Sequence, residues 1–378
     1  MPIQRPRILH AAQMAGTGVV SPSNLDDTAQ SLSNKNLIIN GAMQVQQRGD
    51  VTSSSSVYGL DRFRFSISNS GTVGQYQDTT VPAGKGFSKS TRIQWTSQNN
   101  SLDAVDFNYL NQPIEGLNLQ HLKFGTSSAE SLTLSFWVRS SVTGNYACGL
   151  YQADGDKNFV KTYTISAANT WQHVKLTFAG NTANAIANDN TRGLEVMWGL
   201  AFGSNYTGTD SSGGWTAYGS GGGLGFGQTA NVSSSASNTW YITGAQLEVG
   251  NVATEFEHEP VERTIEKCQR YYLVYKKDDN PLLGTASYYR ANLGISSIFF
   301  PTRMRASPTI VENLGATGNT SFVIHTENAA DYVNSLAIAR QGDMGCHLEI
   351  GNGSGTIGHA GSMSLQYSDQ SVEFKAEL

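Results

Sequence analysis

The chain has 378 residues, 40 of them glycine, with 6 Trp, 16 Tyr, 15 Phe and only three cysteines. Charged residues make up 15% and the net charge is -5; such a charge-poor, ring-rich chain is not a disordered one, and an acidic balance gives no support to nucleic-acid binding. Cys148, Cys268 and Cys346 lie far apart without a CxxC pair, which excludes a disulfide-stapled scaffold and a thiolate zinc site, and no apolar run approaches the roughly 20 residues that cross a bilayer.

Residues 1–35 open with Arg5, Pro6 and Arg7 and lack the apolar core of a signal peptide. Ser23 and Asn24 before LDDTAQSL read as the cap of a short helix. Twelve residues of helix are marginal alone, so this segment is expected to act as a docking peg.

From Asn36 to Phe256 the pattern is strands. RFRFSIS (62–68), SLTLSFWVRS (131–140), YTISAANTWQHVKLTF (163–178) and LEVMWGLAF (194–202) are alternating or β-rich, bounded by Gly, Asn and Ser clusters. In HVKLTF, His173, Lys175 and Thr177 face one way and Val174, Leu176 and Phe178 the other. Asp154-Gly155 predicts a type I′ hairpin turn. Many short strands with frequent turns predict a β-sandwich, with Trp137, Trp171 and Trp240 in its core.

Residues 203–238 change character, being Gly/Ser-rich yet carrying Tyr206, Trp215, Tyr218 and Phe226. So long an insertion reads as a functional surface loop. Tyr206, Trp215 and Tyr218, with Asn205 and Asp210 beside them, are candidate ligand contacts, because exposed rings stack on the C–H faces of sugars while amides and carboxylates orient hydroxyls. The competing reading is that these rings pin the loop to its own or a neighbouring subunit.

The segment PVERTIEKCQRYY (260–272) predicts a helix. Val261, Ile265, Cys268 and Tyr272 are spaced 4-3-4, a single apolar seam of coiled-coil type that could line an oligomer axis or pack on its own sandwich. Residues 273–378 return to strand patterns and have the size of one more sandwich. There Tyr288, Tyr289 and Arg290 read as a loop and as candidate receptor contacts.

Two segments carry a family resemblance. NLIINGAMQVQQRGD from Asn36 onward, followed by YGLDRFRF (58–65), resembles the opening of the β-sandwich domain of many bacteriophage tail fibre and tailspike-like receptor-binding proteins. WYITGAQLEVGNVATEFEHEPVERTIEKCQRYY (240–272) resembles the exit of that domain, with Gln-Leu-Glu-x-Gly, Ala-Thr-x-Phe-Glu and Cys-Gln-Arg-Tyr-Tyr in order. Met304-Arg305-Ala306-Ser307-Pro308 and the closing Ala376-Glu377-Leu378 are similar to that family's C-terminal patterns. The strand order around Phe136-Trp137-Val138 and Thr170-Trp171-Gln172-His173-Val174 is also similar to carbohydrate-binding-module jelly rolls. The resemblance implies a homotrimer on a phage tail, an N-terminal segment docked to a tail or adaptor protein, and a host-facing C-terminal tip that meets surface polysaccharide or lipopolysaccharide.

Other motifs weigh less. Gly353, Gly355 and Gly358 spell GxGxxG, but the following SMSLQY alternates instead of starting a helix, so phosphate binding fails on context. Asp103, Asp106, Glu255, Glu257 and Glu259 are nearby acids without the paired placement a glycosidase needs. His325, His347 and His359 could meet a metal on an axis, yet strand histidines are more often solvated. The expected architecture is all-β: two jelly-roll-like sandwiches (36–256 and 273–378) joined by a short axial helix (257–272), with docking segment 1–35, assembled as a trimer. The expected role is non-catalytic, multivalent attachment of a virion tail to bacterial glycans, with no cofactor, metal, nucleic acid or membrane insertion. The alternatives are a stand-alone carbohydrate-binding accessory protein or a small glycan-cleaving tailspike.

Overall fold

The computed structural model describes residues 34–68, 71–218, 223–276, 282–313, 322–326, 330–333 and 335–378. The docking peg expected at the N-terminus lies outside them, except for its last two residues. The first sandwich takes β1 (Val51–Ser53), β2 (Val57–Tyr58), β3 (Arg64–Ser68), β4 (Thr72–Asp78), β5 (Ser90–Ser97), β6 (Phe107–Glu115), β7 (Leu132–Ser140), β8 (Gly144–Gln152), β9 (Lys157–Ile165), β10 (Gln172–Phe178), β11 (Arg192–Phe202), β12 (Thr216–Ala217) and β13 (Thr239–Val249). Its six-stranded sheet runs β1-β4-β5-β13-β7-β10 and its seven-stranded sheet β12-β9-β8-β11-β6-β3-β2. The strands alternate sides as period 2 requires, and the inward set forms one core that includes Trp95, Trp198, Trp240, Phe63, Phe65, Phe136 and Phe178. Each such ring contributes about 2–3 kcal/mol of burial.

Strand positions follow the sequence closely, with local corrections. The run 163–178 is two strands separated by a turn, not one. The 152–157 hairpin forms, but its left-handed residue is Asp156 (φ 46°) instead of Gly155. Gly155 is needed for space, since a Cβ there would sit 2.7 Å from Asn184. Of the three tryptophans assigned to the core only Trp240 is fully buried; Trp137 projects from the other face of β7, and Trp171 lies just before β10.

The helix α1 (Val261–Gln269) follows Pro260, with Glu262 in its first turn and Lys267 in its last, both matching the helix dipole. The proposed seam does not hold. Val261 is 41% exposed, Ile265 is half-buried, and Cys268 and Tyr272 are buried inside this chain, Tyr272 as the first residue of β14 (Tyr272–Lys276). The packed face is Thr264 and Cys268, because the helix turns directly into a strand and is pinned against the first sandwich.

The second sandwich adds β15 (Leu282–Arg290), β16 (Leu293–Phe299), β17 (Thr309–Asn313), β18 (Phe322–His325), β19 (Ala330–Val333), β20 (Ser335–Gln341), β21 (Gly345–Gly351), β22 (Ala360–Leu365) and β23 (Ser371–Lys375). Sheet β14-β23-β17 packs on sheet β19-β18-β22-β15-β16-β21-β20 around Leu283, Phe300, Leu348, Ile350 and Phe374.

The two sandwiches meet in a buried, charged joint. Glu377 accepts hydrogen bonds from Arg48 (2.9 Å) and from Arg62, which is 1% exposed. Arg48 lies over the Tyr272 ring and Arg62 over the Tyr271 ring, each 3.5 Å from the centroid. Arg270 forks onto both oxygens of Glu115 at 2.7 Å, and Tyr271 donates to the same carboxylate. Arg305 donates to the carbonyls of Asn190, Ala376 and Glu377, and Tyr58 donates to that of Leu378. Opposite charges, backed by these hydrogen bonds and the two stacked tyrosine rings, make so polar a contact tolerable once water is excluded, although among the described residues Arg48 Nη1 and Arg62 Nε have no hydrogen-bond partner.

Candidate functional site

The long loop folds over the outer face of the seven-stranded sheet. In the β-strand β11, Leu194, Val196, Trp198 and Leu200 enter the core, so Glu195, Met197 and Gly199 face outward. Register places Glu195 beside Tyr151 of β8, Met197 beside Asn111 of β6, and Gly199 beside Tyr109; Arg64 and Ser66 of β3 complete the floor.

This floor holds an ordered polar chain. Ser66 donates to Asn111 Oδ1 (2.9 Å), Asn111 donates to Glu195 Oε1 (3.0 Å), and Arg192 pairs with the other Glu195 oxygen. Arg192 also lies 4.9 Å from the Tyr151 ring centroid, and Tyr151 donates to Asp156 (3.1 Å). Ser66, Asn111 and Glu195 are buried, so the chain is rigid, whereas Tyr109, Tyr151 and Arg192 keep one side open. Arg64 is half-buried, and among the described residues it has no ion-pair partner.

Electrostatics fixes the protonation states. Burial, then Glu195, raises the Tyr109 phenol; burial, then Tyr206 and Glu195, raises Tyr218; burial, then the bond to Asp156, raises Tyr151. Burial alone would lower Arg192, but Glu195 more than offsets it. All three phenols therefore stay hydrogen-bond donors, and the guanidinium stays charged.

The loop forms the wall. Tyr206 packs edge-on to Phe107 at 5.6 Å and tilted to Phe202 at 5.9 Å, and Tyr218 packs edge-on to Tyr151 at 5.0 Å. Beneath them Ala147, Val160, Met197, Phe202 and Leu224 form a small satellite core. Two of the loop residues singled out from sequence, Tyr206 and Tyr218, thus reach the groove. Trp215 does not. The β12 alternation sends it to the opposite side of Thr216, where it meets Phe124 at 5.6 Å and Phe159 at 6.0 Å and donates to Ala179 O at 2.7 Å. It pins the loop to its own sandwich. Asn205 is exposed in a single helical turn (Ser204–Thr207), and Asp210 is exposed with its carboxylate closing a local turn on Ser212.

The tip candidates separate as well. Tyr288, Tyr289 and Arg290 end strand β15 and are not in a loop. Tyr288 is 2% exposed and donates to Asp331, while Tyr289 is 62% exposed with Arg290 5.8 Å from its ring centroid. The Gly-rich stretch closes over Tyr288: a Cβ on Gly355 would sit 2.2 Å from that ring. The acids Asp106, Glu257 and Glu259 serve local bonds, to Asn99 and the Asp103 N–H, to the Asn34 and Asn36 N–H groups, and to Thr264 and Lys267. Among the described residues no group of three or more His, Cys, Asp or Glu is placed to hold a metal, and no helix is long and apolar enough to cross a membrane.

Sequence reasoning missed Tyr109, Tyr151, Glu195, Asn111, Arg64 and Arg192. The signal was present in LEVMWGL, where a lone Glu in an apolar run has to be paired.

No protein-family model matches the chain, and no curated protein matches it in sequence. Among solved structures, the enzymatically active domain of bacteriophage CBA120 tailspike protein 4 is 13% identical with a TM-score of 0.30, covering 57% of this chain and 22% of that one. The C-terminal family 22 carbohydrate-binding module of Clostridium thermocellum Xyn10B is 13% identical with a TM-score of 0.28, covering 59% of this chain and 98% of that one. A CBM61 module in complex with beta-1,4-galactotriose is 9% identical with a TM-score of 0.28, covering 57% of this chain and 100% of that one. Likenesses this distant carry no argument about function, which has to rest on the groove.

Proposed function

We propose that this protein binds glycans without cleaving them, through the outer face of the seven-stranded sheet, and that it serves as a phage tail fibre or receptor-binding protein attaching a virion to bacterial surface polysaccharide. The observation that carries the glycan reading is the juxtaposition of half-open rings, Tyr109, Tyr151 and Tyr218, with the fixed chain Ser66–Asn111–Glu195–Arg192 and the unpaired Arg64. Rings offer stacking area at low entropy cost, and Arg192, fixed by the buried Ser66–Asn111–Glu195 chain, can meet hydroxyls without reorganising. Both Glu195 oxygens are already engaged, one by Asn111 and the other by Arg192, so the side chain serves to fix its neighbours in place.

The virion role is supported by the tail-fibre motifs read from the sequence. Assembly as a homotrimer would give three such grooves, and linked weak sites gain avidity through effective concentration. The test is glycan or cell labelling by the full chain and by Tyr151→Ala. Labelling that Tyr151→Ala abolishes supports the groove; labelling that it leaves unchanged refutes it. Release of reducing ends from the bound polysaccharide would refute the non-catalytic reading.

A further inference from the structure

The outer face of the other, six-stranded sheet alternates rings with cations. One transverse row runs Tyr76, Arg92, Tyr241, Arg139 across β4, β5, β13 and β7. Arg92 lies 4.3 Å from the Tyr76 centroid and Arg139 5.0 Å from that of Tyr241, with Trp171 edge-on to Tyr241 at 6.2 Å. In the next row His173 stacks on Trp137 at 4.8 Å and 9°, and Lys85 reaches over the same indole at 5.4 Å. Lys175 stands one step further along β10, opposite Ser135.

Arg92 is neutralised by Asp78 at 3.0 Å. Among the described residues Lys85, Arg139 and Lys175 have no ion-pair partner. Glu255 is the carboxylate that acts on His173 at this face, beside Lys85 and Lys175; three cations without an ion pair on one face of a chain with net charge -5 still mark a surface that favours negative charge. Their spacing is sparse: Arg92 and Arg139 are two strands apart, roughly 10 Å. A nucleic-acid duplex, with a charge every ~1.7 Å of axis, calls for a far denser basic surface. A chain with occasional charges and apolar C–H faces between them matches cations separated by rings.

We infer that this face binds an acidic polysaccharide, whose carboxylates pair with Lys85, Arg139 and Lys175 while sugar rings lie against Trp137 and Trp171. Lys85 sits between Gly84 and Gly86, both at positive φ (70° and 80°), in an exposed turn that carries its ammonium over the Trp137 indole. The site lies on the opposite sheet from the groove and stands or falls separately from it.

The test uses the full chain, with polygalacturonate as the anionic probe and dextran as the neutral one, by affinity electrophoresis and calorimetry. Lys85 and Lys175 are exposed, so Lys85→Gln/Lys175→Gln leaves the fold intact. The expected result is binding to polygalacturonate alone, weakened at least tenfold by the double variant and by 0.5 M salt, and unchanged in Tyr151→Ala. Equal retention by dextran, an unchanged double variant, or tighter binding to a single-stranded oligonucleotide would each overturn the assignment. Loss in Tyr151→Ala alone would also overturn it, by moving the anionic ligand to the groove.

Discussion

Replacing Glu377 by Ala tests how the two sandwiches are held together. The carboxylate is 11% exposed and faces two guanidinium groups, of which Arg62 is 1% and Arg48 10% exposed. Its removal leaves Arg62 buried with the Tyr271 ring and the Pro113 carbonyl, 2.7 Å away, as its remaining partners. Truncating one member of a buried pair costs about 3–5 kcal/mol, mostly for stranding the other charge. Part is recovered because Arg48 keeps Asp61 within 3.7 Å, so a loss of about 3 kcal/mol is expected. Equilibrium urea denaturation, followed by tryptophan fluorescence, reads it as a lower midpoint. Replacing Arg62 and Glu377 together by Met and Leu removes both charges and should recover most of that loss. A Glu377→Ala unfolding free energy within about 0.5 kcal/mol of the parent's would refute the buried-pair reasoning, since that is the size of a surface substitution.

The same joint gives a pH signature. Burial, against the opposing pull of Arg48 and Gln47, raises the Asp61 carboxyl from 3.8 to about 6. A folded value above the unfolded one means that the folded state holds the proton more tightly. Its contribution is therefore greatest below the unfolded value and is lost as pH rises from about 4 to about 6, by about 3 kcal/mol. Asp61→Asn should thus gain on the parent over that window in denaturation curves; a parent that gains on Asp61→Asn would show that Arg48 dominates instead. Trp215→Ala opens a hole against Phe124 and Phe159 and removes the bond to Ala179; because the ring is half-buried, about 2–3 kcal/mol is expected, near the low end for such a truncation. Limited proteolysis should then cut within 203–228, and an uncut loop would contradict the pinning role. Gly355→Ala forces a Cβ into the Tyr288 ring, so hydrogen exchange in 352–359 should rise while β11 is unaffected; unchanged exchange would argue against that packing.

Much of the fold was legible because sandwich strands alternate, and the alternation of HVKLTF and SLTLSFWVRS is what the sheets use. The family-like motifs prove to be clamps and joint residues. Asn36 accepts from the Ile38 and Leu247 N–H groups, Asn40 from that of Val45, and a Cβ on Gly41 would strike the Ala245 carbonyl at 2.0 Å. Glu248 holds the Thr254 turn, Asp61 the Gln47 backbone, and Arg48, Arg62, Arg270, Tyr271, Arg305 and Glu377 build the joint. Such roles need one side chain at one place, so they leave contiguous signatures. The groove leaves none, because Ser66, Asn111, Tyr151 and Glu195 come from four separate strands and are brought together only by register. Trp137 misled for a related reason: an aromatic flanked by apolar neighbours looks buried until the face of the strand is known. The helix seam failed because spacing cannot tell a partner helix from the chain's own sheets.

The central claim is that the groove over β11, β6 and β8 recognises a glycan. Its most direct test is a glycan array probed with the fluorescently labelled full chain beside its Tyr151→Ala and Glu195→Gln variants. The parent should label a defined set of bacterial polysaccharides, Tyr151→Ala should lose them, and Glu195→Gln should weaken them roughly tenfold by loosening the charge-assisted bond that fixes Arg192, about 1.4 kcal/mol. Labelling that survives in both variants would contradict the claim.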